Sequence, residues 1–171
     1  MKILGAIMIL CGCVGLGNWY RSRFDKRLRE TRILVQILEL FAGEIRYGKA
    51  TLPESCKILT GRVKEPYRSG LAGAGRAYAS NTGETFGNVF KEQMEKAMQG
   101  LPIMGEDKEI FFEPFGYRGF SDADMQLKSL ERGICGLQDS IRMQESELRE
   151  KQRMAMGLGL MGGMLIVILL V

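Results

Sequence analysis

Residues 24–45 read FDKRLRETRILVQILELFAGEI, and this stretch decides the fold. Its core positions recur at alternating spacings of four and three residues, the a/d pattern of a helix that packs against another helix. These positions are Phe24, Leu28, Thr31, Val35, Leu38, Ala42 and Ile45. Residues 21–47 contain no proline and one glycine, so the sequence predicts one long helix here.

A second stripe of the same kind lies in residues 127–148, LKSLERGICGLQDSIRMQESEL. Its positions alternate by three and four residues: Leu127, Leu130, Ile134, Leu137, Ile141, Gln144 and Leu148. Ser121 is the predicted N-cap, and Asp122 and Asp124 fall in the first turn, where carboxylates suit the helix dipole. With no breaker before Gly157, this helix is expected to continue into the apolar C-terminal run.

Both ends of the chain are apolar. The run from Ile3 to Gly17 and the run from Met154 to Val171 contain no charged side chain, and about 20 apolar residues cross a bilayer. The sequence therefore predicts a transmembrane segment in residues 1–20, a soluble helical domain in 21–153 and a transmembrane helix in 154–171. Gly159 and Gly163 form a GxxxG pattern, which permits close packing of membrane helices.

Basic residues flank both apolar runs on the side of the central domain, which predicts a cytosolic domain because Lys and Arg near a span resist translocation. They also suit anionic lipid head groups. The flanking residues are Arg21, Arg23, Lys26, Arg27, Arg29, Arg32, Arg149, Lys151 and Arg153. A second interpretation stays open, in which the first run is a cleaved signal peptide. Leu10-Cys11-Gly12-Cys13 approaches a lipoprotein cleavage site, which would place the domain outside the cell.

The two stripes are expected to pair antiparallel, since one leaves the membrane and the other returns to it. Paired alone, they would form a stalk of about 25 residues, roughly 35 to 40 Å long at 1.5 Å per residue. The alternative is that both stripes are core faces of a compact bundle. The predicted fold class is all-α: a membrane-anchored helical bundle with an antiparallel long-helix pair and a cap of short helices, flanked by two transmembrane helices.

The cap lies between the two stripes. Thr51-Leu52-Pro53-Glu54 has the pattern of a capping box that opens a helix ending near Gly61. Breakers then delimit helices at about 65–79, 85–98 and 106–117. The predicted core of the cap consists of Phe86, Phe90, Phe111, Phe112 and Phe115.

No catalytic, cofactor or metal site is predicted. The chain has no histidine, which removes Ser-His-Asp triads and the usual Cys/His zinc sites. Gly70, Gly73 and Gly75 lack the spacing and the Lys-Ser/Thr of a phosphate loop. We interpret Glu106, Asp107 and Glu109 as a solvated helix start, and a net charge of +4 does not indicate nucleic-acid binding.

The segment EIRYGKATLPE (Glu44 to Glu54), followed by Phe115-Gly116, Gly119, Asp122 and Gln126, resembles the stage III sporulation protein AB family of endospore-forming bacteria. The resemblance covers the whole chain. Thr51 and Arg118 depart from the family pattern, which often has proline and leucine there.

The resemblance implies a non-enzymatic platform or scaffold in a sporulation channel complex, in the mother-cell membrane around the forespore. The family is similar to the inner-membrane platform protein of type II secretion systems. Implied partners are the membrane, a cytosolic secretion-type ATPase and other proteins of the complex, and a homo-oligomer is a further expectation. No small-molecule substrate is expected.

Within this interpretation, the family-matching residues are Glu44, Tyr47, Gly48, Phe115, Gly116, Gly119, Asp122 and Gln126. The glycines are expected at helix ends in a left-handed conformation. Glu44, Asp122 and Gln126 form either a buried polar network that fixes register or a partner-contact patch.

Two other function classes stay open. A membrane-tethered sensor or signalling adaptor would share the architecture and would bind a ligand. For an enzyme the only candidate groups are scattered carboxylates and two isolated thiols, and an unusually reactive Cys56 or Cys135 would favour this class.

Overall fold

Two helices of this fold are much longer than the others. The computed structural model describes the backbone of residues 2–80, 83–116 and 123–170, and the side chains of 24–80, 83–116, 123–150 and Met154. Within these ranges every element of regular secondary structure is an α-helix, which confirms the predicted all-α class. The helices are α1 (Lys2–Gly48), α2 (Leu52–Leu59), α3 (Tyr67–Ala79), α4 (Phe86–Ala97), α5 (Gly105–Gly116) and α6 (Ala123–Leu170).

Helices α1 and α6 pack antiparallel, as predicted. Arg32 pairs with Glu145 at 2.6 Å and Arg46 pairs with Glu131 at 2.5 Å. The pairs are fourteen residues apart on each helix, from 32 to 46 on α1 and from 131 to 145 on α6, so one register holds between them. The beginning of α1 and the end of α6 therefore lie at one end of this hairpin, and Gly48 and Ala123 lie at the other.

The predicted stripes form the contact between the long helices. All seven stripe residues of α1 are buried, with Thr31 and Leu38 fully so. On α6, Leu130, Leu137 and Gln144 are buried, whereas the four other stripe residues are half-buried. The prediction of two packing stripes is confirmed. The α6 stripe is less completely buried than the α1 stripe.

Helix α2 begins as the sequence predicts. Glu54 Oε2 accepts hydrogen bonds from the Thr51 backbone N–H and hydroxyl, both at 2.9 Å. These bonds, the one from the backbone first, lower the pKa of Glu54. The last turn of α1 ends differently from the prediction, because the left-handed residue is Lys49, with φ +50°, and not Gly48. The Ala50 N–H then donates to the Glu44 carbonyl at 3.2 Å, which satisfies a terminal carbonyl group of α1.

The short helices lie beside the long pair and not beyond it. Glycines on α6 allow α5 to approach closely, since a Cβ on Gly133 would be 3.0 Å from Pro114 Cγ and one on Gly136 would be 3.0 Å from Ile110 Cγ2. A separate stalk is thus wrong, and the compact-bundle alternative describes the fold. The predicted glycine patch has a packing role, because a Cβ on Gly70 would be 2.9 Å from Ala97 Cβ on α4.

No helix includes a stretch long and apolar enough to cross a bilayer within the part of the chain whose side chains are described. The predicted spans in residues 1–20 and 154–171 lie outside that part, Met154 excepted, and so do Gly159 and Gly163. Both spans stay predictions. The backbones of α1 and α6 continue without a break across the predicted boundaries at residues 20 and 154.

Candidate functional site

A cleft opens at the end of the hairpin where α1 stops and α6 starts. Its volume is about 560 Å³, and it is lined by Ile45, Arg46, Lys49, Ala50, Thr51, Ala123, Asp124, Gln126 and Leu127. The cleft therefore joins residues of the first family-matching segment to Gln126 of the second. We call this region the hairpin-end cleft.

Tyr47 stands beside the cleft residues and projects into solvent. Its side chain is 82% exposed, and it makes no hydrogen bond or ring contact with any described residue. Met125, between two cleft residues of α6, is 58% exposed. The Tyr47 side chain is therefore not held by packing against the described part of the chain.

The charges around the cleft are partly neutralised. Glu131 holds the Arg46 guanidinium, with both side chains about half exposed. Lys49 is exposed and forms no ion pair with the described residues, so its ammonium group is available at the rim. Among the described residues that line the cleft, Lys49 thus offers a cation without an ion-pair partner, two residues after the exposed Tyr47.

Glu44 does not line the cleft, so the structure does not bring it together with Gln126 as predicted. Its Oε1 accepts a 2.7 Å hydrogen bond from Arg62 in the α2–α3 connection. The register of the ion pairs puts residue 44 opposite residue 133, about 10 Å along α6 from Gln126. The other predicted members, Asp122 and also Gly119, lie outside the described residues.

Phe115 lies in the core, and the backbone of Phe115 and Gly116 approaches α4 closely. The Phe115 ring stacks on Phe90 with centroids 4.1 Å apart, and Phe41 of α1 meets Phe115 edge-on at 5.1 Å. A Cβ on Gly87 would overlap the Phe115 carbonyl oxygen and lie 3.2 Å from the Gly116 Cα. Gly116 ends α5, but the left-handed conformation that was predicted for it is not found, because its φ is not positive.

The polar centre of the domain is a cluster around Asp107, which the sequence analysis missed. Asp107 is fully buried, so a solvated helix start is right for Glu106 and Glu109 and wrong for Asp107. Its Oδ2 accepts from the Thr31 hydroxyl at 2.9 Å and from Gln144 Nε2 at 3.1 Å, and its Oδ1 accepts from the Ser140 hydroxyl at 2.6 Å.

This Asp107 cluster joins α1, α5 and α6 at one level. Burial of a carboxyl group without partners is costly, and three donors offset that cost. The sequence signal was the polar Thr31 and Gln144 at core positions of opposite stripes. The described part of the chain thus contains a buried polar network, and it is formed by residues other than Glu44 and Gln126.

Two further groups bear on the enzyme alternative. Burial raises the pKa of the Cys56 thiol to about 12, so the nucleophilic thiolate is disfavoured at neutral pH. Burial and the hydrogen bond from its hydroxyl to Glu30 Oε2, 2.7 Å long, raise the pKa of Tyr67. Among the described residues, no three Cys, Asp or Glu side chains are grouped so that they could hold a metal ion.

Known proteins resemble this chain along its whole length. The family model for stage III sporulation protein AB matches residues 2–171. The stage III sporulation protein AB of Bacillus subtilis (strain 168) is 22% identical over 170 residues, which are 99% of each chain. A solved structure of a stage III sporulation protein AB matches with a TM-score of 0.63 at 17% identity, over 72% of this chain and 97% of that one, which shows a shared fold. The chain belongs to the stage III sporulation protein AB family.

Proposed function

We propose that this protein is a non-enzymatic membrane platform in a sporulation-specific, secretion-like channel complex between mother cell and forespore. In this role it couples a cytosolic secretion-type ATPase to the membrane part of the complex. Family membership supports the link to sporulation. The coupling role follows from the resemblance of the family to secretion platforms and is our proposal.

The observation that carries the proposal is the exposed Tyr47 at the hairpin-end cleft. It lies within the family-matching segment, yet its ring packs against no described ring and is 82% exposed. The cleft is also at the opposite end of the hairpin from the predicted spans. A contact surface there would face the cytosol if the predicted topology holds, and an ATPase bound to it would act through two long helices.

The proposal is tested by co-purification of the full chain in detergent with the ATPase of the same sporulation system. We expect the natural chain to retain the ATPase, and Tyr47→Ala to reduce its retention at least tenfold with an unchanged melting temperature. Loss of a central aromatic contact commonly has an effect of this size. Met143→Ala is the matched control, since Met143 is 66% exposed on the outer side of α6.

Point substitutions are preferable to removal of the cap, because α2 to α5 contribute to the only described core. If the natural chain fails to retain a folded and active ATPase, the coupling role is wrong. Equal retention by Tyr47→Ala and the natural chain would instead exclude the hairpin-end cleft as the contact surface.

A further inference from the structure

One side of the α1/α6 hairpin is not covered by another described helix. Helix α5 covers the opposite side of α6 through Gly133, Gly136 and Ser140. In the described part of the chain, α6 packs mainly against α1 and α5, and α2 packs against α1. The pairs Arg32–Glu145 and Arg46–Glu131 cross this uncovered side. Ile134 and Ile141 of α6 are half-buried there, beside the buried Val35 and Ala42 of α1. We call this side the open face.

The apolar residues that α6 contributes to the open face recur at the heptad spacing that is typical of helix bundles. Leu127, Ile134, Ile141 and Leu148 follow each other at seven-residue intervals, and all are half-buried. The neighbouring stripe positions Leu130 and Leu137 are fully buried. Apolar residues at strict seven-residue intervals keep facing one direction along paired helices, so a further helix along this strip would complete their burial.

The charges of the open face are complementary to those of a second copy of the same face. The side chains of Arg46 and Glu131 are 46% and 49% exposed, so each can meet a second partner. A two-fold axis parallel to the hairpin places α1 of one copy beside α6 of the other at equal height. Arg46 then meets Glu131 of the second copy, and Arg32 meets Glu145 of the second copy.

We propose that two copies of this chain associate through their open faces, with a two-fold axis parallel to the long helices, into a four-helix bundle. This axis keeps the start of α1 and the end of α6 of both copies at the same end, as anchoring in one membrane requires. The proposal goes beyond the platform function and does not depend on the ATPase.

The test is the molar mass of the full chain in detergent, by light scattering with the detergent mass subtracted. We expect the natural chain to have the mass of two copies. Arg46→Glu alone and Glu131→Arg alone each set like charges against each other at this level, so each variant is expected to dissociate, with a dissociation constant at least tenfold higher.

Mixing the two variants is the decisive step. In a mixed pair, Glu at position 46 of one copy meets Arg at position 131 of the other, and the second contact is complementary as well. We therefore expect the equimolar mixture to recover the mass of two copies. Restored charge pairs within one chain cannot explain this recovery, because neither variant contains both changes.

Lys96→Glu is the matched control, since its ion pair with Glu92 on α4 is similarly exposed and remote from the open face. It is expected to keep the mass of two copies, and circular dichroism checks that every variant is folded. The proposal is overturned if the natural chain has the mass of one copy or if the mixture stays dissociated. It is also overturned if both single variants keep the mass of two copies, which pairing through Gly159 and Gly163 would allow. An antiparallel arrangement also predicts a dissociated mixture, because position 46 would then face Glu145.

Discussion

The carboxyl group of Asp107 in α5 accepts a 2.9 Å hydrogen bond from the hydroxyl of Thr31 in α1, which lies 76 residues earlier in the chain. Both side chains are fully buried. This contact fixes the height of the cap on the long helix pair. Apolar packing alone tolerates sliding by a heptad, whereas a buried hydrogen-bonded group has partners at one register only.

The first prediction concerns the Asp107 cluster. Asp107→Ala removes the acceptor that the Thr31 and Ser140 hydroxyls and the Gln144 amide share. Thr31 and Gln144 keep a second acceptor each, in the Arg27 carbonyl and the Ser140 hydroxyl, so we expect the free energy of unfolding to fall by about 2 to 3 kcal/mol. Asp107→Asn keeps one acceptor oxygen and should cost less. Glu109→Ala, on the exposed side of α5, should stay within about 0.5 kcal/mol. Denaturant titrations of the full chain in detergent measure all three, and equal losses for Asp107→Ala and Glu109→Ala would contradict a role of the cluster in stability.

The second prediction concerns Glu44, whose side chain is 14% exposed beside an Arg62 side chain that is 57% exposed. Because solvent screens the arginine, we expect Glu44→Ala to lower the free energy of unfolding by only about 0.5 to 1 kcal/mol. Arg62→Ala should have a similar effect, and the double variant should cost less than the sum of the two. A double-mutant cycle on thermal unfolding measures this coupling, and strict additivity would show that the ion pair contributes nothing.

The third prediction compares two helical glycines. At Gly87 an added Cβ overlaps the Phe115 carbonyl oxygen, so Gly87→Ala must separate α4 from α5 and disturb the stacked Phe90 and Phe115 rings. We expect Gly87→Ala to lower the free energy of unfolding by about 2 kcal/mol or more. At Gly75 an added Cβ meets Lys57 Cγ at an ordinary 3.5 Å, and alanine is the better helix former by about 1 kcal/mol.

Gly75→Ala is therefore expected to leave the melting temperature equal or higher, and Gly87→Ala to lower it. Melting curves by circular dichroism measure the melting temperatures of both variants and of the natural chain. An unchanged curve for Gly87→Ala would mean that α4 and α5 do not approach as closely as described.

The fourth prediction concerns thiol reactivity. Cys56 is fully buried with its pKa raised to about 12, whereas Cys135 is exposed on α6. At pH 7.5 iodoacetamide should modify Cys135 and leave Cys56 intact until the protein unfolds. Peptide mass spectrometry distinguishes the two sites, with a sample in denaturant as the control. Rapid modification of native Cys56 would reopen the enzyme interpretation.

The pairing of the two long helices was predictable. Core residues such as Leu38 recur at alternating spacings of four and three, which is the pattern of a helix that packs against another helix. The helix boundaries near Thr51 and Ala79 were predictable for the same local reason, since capping and breaking residues act over a few positions. Asp107 was not predictable. The local sequence does not show whether a carboxylate in the first turn of a helix is exposed or buried. The hydrogen-bond donors that make burial of Asp107 possible come from two distant helices.

Gly48 and Glu44 show the same limit at the hairpin end. Glycine is the usual left-handed residue after a helix, yet the turn is made at Lys49. Glu44 faces the α2–α3 connection, because the register of the two long helices carries it away from Gln126. Register depends on the sum of contacts along both helices, and no single residue in the sequence reveals it.

The sequence by itself determined the helical class, the two packing stripes, the four short helices and the family, since these depend on periodicity, capping and motif order along the chain. Only the tertiary structure decided that the short helices lie beside the long pair, that Asp107 is the buried polar centre, and that Tyr47 is left exposed. It also decided that no described helix covers one side of the hairpin. The physical reason is that burial is a property of neighbours from distant parts of the chain. Local propensity fixes which face of a helix is apolar, but packing decides which partner covers it.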